Sequence, residues 1–188
     1  SRTGEGLFLV TDRVMKNSPS MPDFISAHGT GTLYNDEMEA IALTRAGLQN
    51  IPVNSFKGYW GHTLGAAGVI ELAMCVHSMN NNVLFPTKGF REPGLENKLN
   101  VIDRVIKTEV NACLKTASGF GGCNSAGFAL DARYRTILRK SHPARSWWAA
   151  VFGTGLGGCE TLLSSPPSRS TTHWKSGRHC HGVSSINQ

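Results

Sequence analysis

Apolar residues recur at helical spacing over residues 6–16 (GLFLVTDRVMK) and stop at Asn17-Ser18-Pro19-Ser20, which predicts an opening helix closed by a turn. Asp23-Phe24-Ile25-Ser26-Ala27 is a short apolar run ending in glycine-rich turn chemistry. It predicts a strand with His28 at its carboxyl end, where α/β proteins tend to place their sites. Asn35 or Asp36 is then expected to cap a helix that runs through Leu48, with Gly47 near its end. The plan repeats: residues 51–55 read as a strand, 57–63 as a loop and 64–79 as a helix. That helix carries Val69, Ile70, Leu72, Ala73, Met74 and Val76, apolar on nearly every face, which predicts burial between sheets. Further on, Phe85-Pro86 opens a loop and residues 101–105 read as a strand. Residues 112–114 and 126–130 read as hairpin strands around Gly119-Phe120-Gly121-Gly122. Strands alternating with helices make the chain α/β.

Two segments carry candidate chemistry. The first is Ser26-Ala27-His28-Gly29-Thr30-Gly31-Thr32; the second is Asn54-Ser55-Phe56-Lys57-Gly58-Tyr59-Trp60-Gly61-His62-Thr63-Leu64-Gly65-Ala66-Ala67-Gly68. Two histidines and a lysine among glycines and small hydroxyl residues predict side chains aimed into a pocket where carbonyl charge is stabilised. Gly61, Gly65 and Gly68 would let backbone or ligand approach closely, and His62 would lie beside a helix amino terminus, whose dipole disfavours its protonation. Two neutral imidazoles donating to one oxygen make an oxyanion or enolate hole. The plainer reading makes His28 and His62 satisfied core residues, and for His77, on the apolar helix with no motif around it, that is the reading adopted.

These segments, with Asn35-Asp36 and Glu39, Glu71 nine residues beyond His62, and Gly119-Phe120-Gly121-Gly122 with Asn124, stand in the order found in a known family. Over roughly residues 4–131 the chain resembles the carboxyl-terminal half of the β-ketoacyl synthases, which share the thiolase-like α/β fold. The resemblance implies decarboxylative Claisen condensation in fatty-acid or polyketide synthesis, with an acyl chain on a cysteine and malonyl on acyl carrier protein. It implies that His28 and His62 hold the malonyl thioester carbonyl and stabilise the enolate, and that Lys57 and Glu71 form a charged pair that orients them. Phe120 would be a gate beside the nucleophile, and Thr30, Thr32, Asp36, Gly119 and Gly121 supporting positions. It further implies an acyl carrier protein and a ketosynthase-type dimer partner, and no cofactor or metal.

The family's nucleophile precedes the first histidine motif, in a segment where cysteine is followed by small residues. None of Cys75, Cys113, Cys123, Cys159 and Cys180 sits in such a segment. Cys75 reads as core, Cys113 as part of a strand and Cys123 as a variable position after the glycine turn. The expectation is a ketosynthase half that needs a nucleophile-bearing half to act. The alternative is a non-catalytic partner similar to chain-length factors, or an inactive fragment.

Composition modifies this picture little up to residue 135 and strongly after it. The 188 residues carry a formal charge of +6, which suits docking of an acidic carrier protein and equally suits simple solubility. Neither a signal peptide nor a run of apolar residues long enough for a membrane span is evident, and five unpatterned cysteines point to a reducing cytoplasm. Nothing in the sequence points to nucleic acid. Residues 1–135 are expected to form the thiolase-like domain and 136–188 an irregular or disordered tail. Residues 141–188 hold three of the four tryptophans, four of the seven histidines and one acidic residue. That composition fits a disordered extension or an out-of-frame reading. Val151-Phe152-Gly153-Thr154-Gly155-Leu156-Gly157-Gly158 is similar to a segment from the amino-terminal half of ketosynthases; as a dinucleotide fingerprint it has no strand, helix and acidic residue around it. Cys159, His173, His179, Cys180 and His181 have the residue types of a zinc site without its spacing.

Overall fold

The computed structural model of the protein describes residues 3–92, 94–134, 151–152 and 161–162. Helix α1 (Glu5–Asn17) buries Leu7, Val10, Thr11 and Val14, the one-sided pattern of an amphipathic helix. Strand β1 (Phe24–Ser26), helix α2 (Leu33–Arg45), strand β2 (Val53–Asn54) and the single turn α3 (Lys57–Trp60) follow. A 3-10 turn at Leu64–Ala66 leads into α4 (Ala67–Asn81). Strands β3 (Val83–Leu84) and β4 (Ile106–Lys107) pair antiparallel, and β5 (Ala112–Ser118) and β6 (Asn124–Leu130) form a hairpin. Strands β7 (Val151–Phe152) and β8 (Thr161–Leu162) make a separate antiparallel pair.

The main sheet has the order β2-β1-β5-β6, with β1 parallel to both neighbours. Alternation along its strands builds two cores. Ile25, Val53 and Leu114 pack with Leu7, Val10, Val14 and Leu43 from α1 and α2 on one face. Phe24 and Cys113 pack with Cys75 and Met79 of α4 on the other. The result is one sheet with helices on both faces, in the α/β class that the sequence predicts. Its register places Ser26 level with Asn54 on one side and Lys115 on the other. The segments after β1 and β2 therefore emerge at the same end of the sheet, beside the Lys115 side chain.

Several local expectations are corrected. Helix α2 begins at Leu33 after Thr32 and ends at Arg45. Neither Asn35 nor Asp36 caps it, because the Asp36 carboxylate instead accepts the backbone N–H of Thr30. Residues 57–60 form a helical turn rather than loop. The strand expected at 101–105 is reduced to a parallel bridge between Val101 and Val53, while pairing with β3 occurs at Ile106–Lys107. Helix α4 is not enclosed: only Ala67, Glu71, Cys75, Ser78 and Met79 are buried, while Val69 remains 73% exposed and Leu72 and Val76 also face outward. One sheet covers one side of a helix, and the described residues place nothing over the other. His77 is likewise exposed, stacked on Phe85 instead of held in the core. The readings made for residues 136–188, including the glycine-rich run and the Cys159, His173, His179, Cys180 and His181 set, lie outside the described residues except for β7 and β8.

Leu114 is fully buried between the sheet and α1/α2, so Leu114→Ala is expected to cost about 2–5 kcal/mol in a urea unfolding experiment. Leu9, on the outward side of α1, is the control; Leu9→Ala should stay within about 0.5 kcal/mol of the unsubstituted chain. Equal effects from the two would contradict the layer assignment.

Candidate active site

The peptide of His28 is gripped at both ends. Its N–H donates to Glu39 Oε1 at 2.8 Å and the next N–H, of Gly29, donates to Oε2 at 2.6 Å. Its carbonyl accepts the Lys57 ammonium. Gly29 has φ +45°, and a Cβ there would lie 2.6 Å from the Ser55 Cβ, so only glycine makes this turn without displacing its neighbour. Glu39 comes from α2 and also accepts Asn35 Nδ2 at 3.0 Å and the Thr116 hydroxyl at 3.3 Å. Burial pushes the Glu39 carboxyl up, against the pull of the Gly29 and His28 amides. Asp36, raised by burial in the same way, fixes the Thr30 amide at 3.1 Å, and the Thr30 and Thr32 hydroxyls pair at 2.8 Å.

On the opposite face of the sheet, Glu71 of α4 stands between two ammonium groups. Lys57 Nζ lies 2.7 Å from Oε1 and Lys115 Nζ 2.8 Å from Oε2, all three side chains being buried. Burial lowers the Lys57 pKa, an effect that Glu71 opposes. The structure thus brings Lys57 and Glu71 together, and adds two partners that sequence reasoning missed. Glu39 was visible in the motif but carried no assigned role. Lys115 had one signal, a lone charge within an apolar strand.

His28 and His62 meet edge-on, with ring centroids 5.0 Å apart and planes at 80°. His62 is exposed, and its Nδ1 accepts the Leu64 N–H at 3.0 Å, which in the neutral ring leaves the proton on Nε2 as a free donor. His28 is buried, and its Nδ1 has no hydrogen-bond partner among the described residues. Its pKa is lowered from 6.5 to about 4, first by burial, then by the charges of Lys57, Lys115 and His62, with Glu71 opposing. At neutral pH it is therefore an uncharged imidazole. Both rings line an open cavity of about 2330 Å³, shared with Lys115, Phe120 and the apolar outer face of α4. Phe120 is fully exposed at the Gly119–Gly122 turn, which Gly121 and Gly122 make possible with φ of +79° and +82°. Gly119 N–H closes that turn on the Cys123 carbonyl at 2.7 Å. Gly65 and Gly68 line the cavity.

The arrangement sets two imidazoles edge-on beside a largely apolar cavity, with the inner ring kept uncharged first by burial and then by the nearby lysine charges. No group of metal-ligating side chains occurs among the described residues. No helix among them is long and apolar enough to cross a membrane.

The depressed His28 pKa has a consequence for stability. Between about 4 and 6.5 the unfolded chain binds a proton at this histidine that the folded chain does not, so stability falls as pH drops through that window. The unfolding midpoint should therefore fall further between pH 7 and 5 for the unsubstituted chain than for His28→Asn. Equal falls would contradict the site's electrostatics.

Comparison with known proteins points the same way as the geometry. Residues 5–91 match the family model described as beta-ketoacyl synthase, C-terminal domain. A tetracenomycin polyketide synthase ketoacyl synthase alpha subunit from Streptomyces glaucescens is 40% identical over 107 residues, 55% of this chain and 25% of that protein. Nodulation protein E of Rhizobium leguminosarum bv. trifolii is 35% identical over 111 residues, 57% of this chain and 28% of that protein. Among solved structures, a type II polyketide ketosynthase in complex with its acyl-carrier protein superposes with a TM-score of 0.59 at 30% identity. That match covers 64% of this chain and 31% of the other. The ishigamide ketosynthase/chain length factor gives 0.53 at 32%, covering 56% and 26%. The chain spans about a quarter of the length of the two curated relatives. Motifs, fold and matches agree that residues 5–91 resemble the β-ketoacyl synthase C-terminal domain.

Proposed function

We propose that this chain supplies the decarboxylating half of a β-ketoacyl synthase site, and that it acts with a half carrying the nucleophilic cysteine. The observation that carries the reading is the edge-on His28–His62 pair at the cavity mouth, with His28 buried and uncharged. A malonyl thioester placed there loses its carboxylate as carbon dioxide, and the electron pair of the broken C–C bond moves onto the thioester oxygen as an enolate. Imidazole N–H donors, that of His28 on an uncharged ring, stabilise that oxygen without protonating it, whereas an ammonium donating directly to it would quench it. The enolate carbon then attacks the acyl thioester on the other half, expelling the cysteine thiolate. Lys57 and Glu71 are positioning residues in this scheme, since they hold the His28 carbonyl and each other instead of the substrate. Asp36, Thr30 and Thr32 shape the turn after His28, and Phe120 with Gly119 and Gly121 forms the gate. The exposed apolar side of α4 supplies a surface on which the nucleophile half would pack. The thioester substrate would arrive on acyl carrier protein, and the synthase would work as a ketosynthase-type dimer.

The second reading is a non-catalytic chain-length-factor-like partner. It is favoured by the cysteines among the described residues: Cys75 and Cys113 are closed in the core, which leaves Cys123 as the exposed one.

Malonyl carrier decarboxylation decides between them when the chain is joined to a cysteine-bearing half from a relative. His28→Ala and His62→Ala should each lower the rate by about 10² to 10³, and the double variant should be little worse than the worse single one. Lys57→Ala should also impair the step, through a displaced His28 peptide. Folded single variants within about tenfold of the reference would return both histidines to a structural role.

A further inference from the structure

Two thiols lie beside the buried ions, and the scheme above uses neither. Glu71 of α4 meets Lys115 of β5 at 2.8 Å, while Cys75 and Met79, further along α4, pack with Phe24 and Cys113, nearer the starts of β1 and β5. Helix and strand therefore run in opposite directions. Four residues along a helix advance about 6 Å, and two along a strand about 6.6 Å. One turn on from Glu71 and two residues back from Lys115, Cys75 thus comes to face Cys113. Both are completely buried in the same core cluster. They also act on each other: a hydrogen bond with Cys113 holds the Cys75 thiol below its ordinary pKa, and the same bond, with burial, pushes the Cys113 thiol up.

We propose that Cys75 and Cys113 form a reversible disulfide that fastens α4 to β5 one helical turn from the Glu71–Lys115 pair. The oxidant is hydrogen peroxide. The Cys75 thiolate attacks one peroxide oxygen, the O–O bond breaks, the other oxygen leaves as hydroxide and becomes water, and Cys75 becomes a sulfenic acid. Cys113 then gives up its proton and attacks the Cys75 sulfur, the S–O bond breaks, and that oxygen leaves as a second water. Two thiols lose two electrons and two protons, and one peroxide is reduced to two waters. Among the described residues α4 is covered from one side only, with Val69, Leu72 and Val76 exposed, so local opening of this helix admits a small oxidant. The bond joins groups that are already packed together, so it restrains the unfolded chain without rebuilding the folded one. Once closed, it holds Glu71 in register with Lys115. None of this depends on the decarboxylating role of His28.

The test treats the folded full chain with hydrogen peroxide at neutral pH, alkylates the remaining thiols in denaturant and maps the peptides by mass spectrometry without reductant. The expected product is a pair of peptides joined through Cys75 and Cys113, lighter than the separate peptides by two hydrogen atoms and released by dithiothreitol. The urea midpoint of the oxidised chain should rise, and the rise should vanish in Cys113→Ala, which keeps Cys75 and removes its partner. Should Cys113→Ala not fold, reversal of the rise by dithiothreitol in the unsubstituted chain takes its place. Cys75 and Cys113 both still alkylated once the exposed Cys123 is fully oxidised overturns the proposal. So does Cys75 trapped as sulfinic acid, or a linked pair that forms only in urea. A linked pair that leaves the midpoint unchanged or lowers it also overturns the proposal, since the bond would then not fasten the helix.

Discussion

A single buried carboxylate, Glu71, holds the working end of this domain together. Moving one ion of that size into a low-dielectric interior costs several kcal/mol even after relaxation, and here three ions share the interior. They are tolerable together because each is paired and hydrogen-bonded: Glu71 accepts a hydrogen bond from Lys57 on one oxygen and is ion-paired with Lys115 at the other, while Lys57 also donates to the His28 carbonyl and Lys115 to the carbonyls of Ser26, Ala27 and Thr116. Through this set α4, α3, β5 and the end of β1 become one unit. Remove the carboxylate and two ammonium groups are left facing each other beside the His28 peptide.

A second carboxylate completes the grip from the other layer. Glu39 on α2 takes the N–H groups of His28 and Gly29, while Lys57 takes the His28 carbonyl from the α4 side. The peptide bearing the candidate imidazole is thus fixed by groups from both faces of the sheet, in a turn that only glycine at position 29 permits. Rigid support of this kind is what a hydrogen-bond donor for a developing oxyanion requires, since its orientation must not need rebuilding during reaction. It also explains why so many ionisable side chains are buried within a small α/β domain.

Much of the fold was legible because it follows from local pattern. The amphipathic spacing of α1, the apolar run of β1 and the glycine turn between β5 and β6 each state their own conformation. The grouping of His28 with His62 was legible through their spaced motifs, and that of Lys57 with Glu71 only through the family resemblance. Lys115 was not, since the strand read from the sequence stopped at residue 114 and two of its three carbonyl partners, Ser26 and Ala27, lie almost 90 residues away in sequence. Helix α4 misled for the opposite reason. Being apolar all round predicts burial on all sides, but sequence periodicity does not reveal which layers are present to cover it. Residues 101–105 misled too, because β2 holds only the 100–102 segment, through the Val53 amide and carbonyl, without a full ladder.

The central claim is that the Glu71 carboxylate is the keystone of these contacts, and the unfolding free energy of Glu71→Gln tests it most directly. Glutamine preserves shape and removes the charge. Stranding two buried ammonium groups should cost about 3–5 kcal/mol at neutral pH. A loss below about 1 kcal/mol, the range of a surface ion pair, would contradict the account.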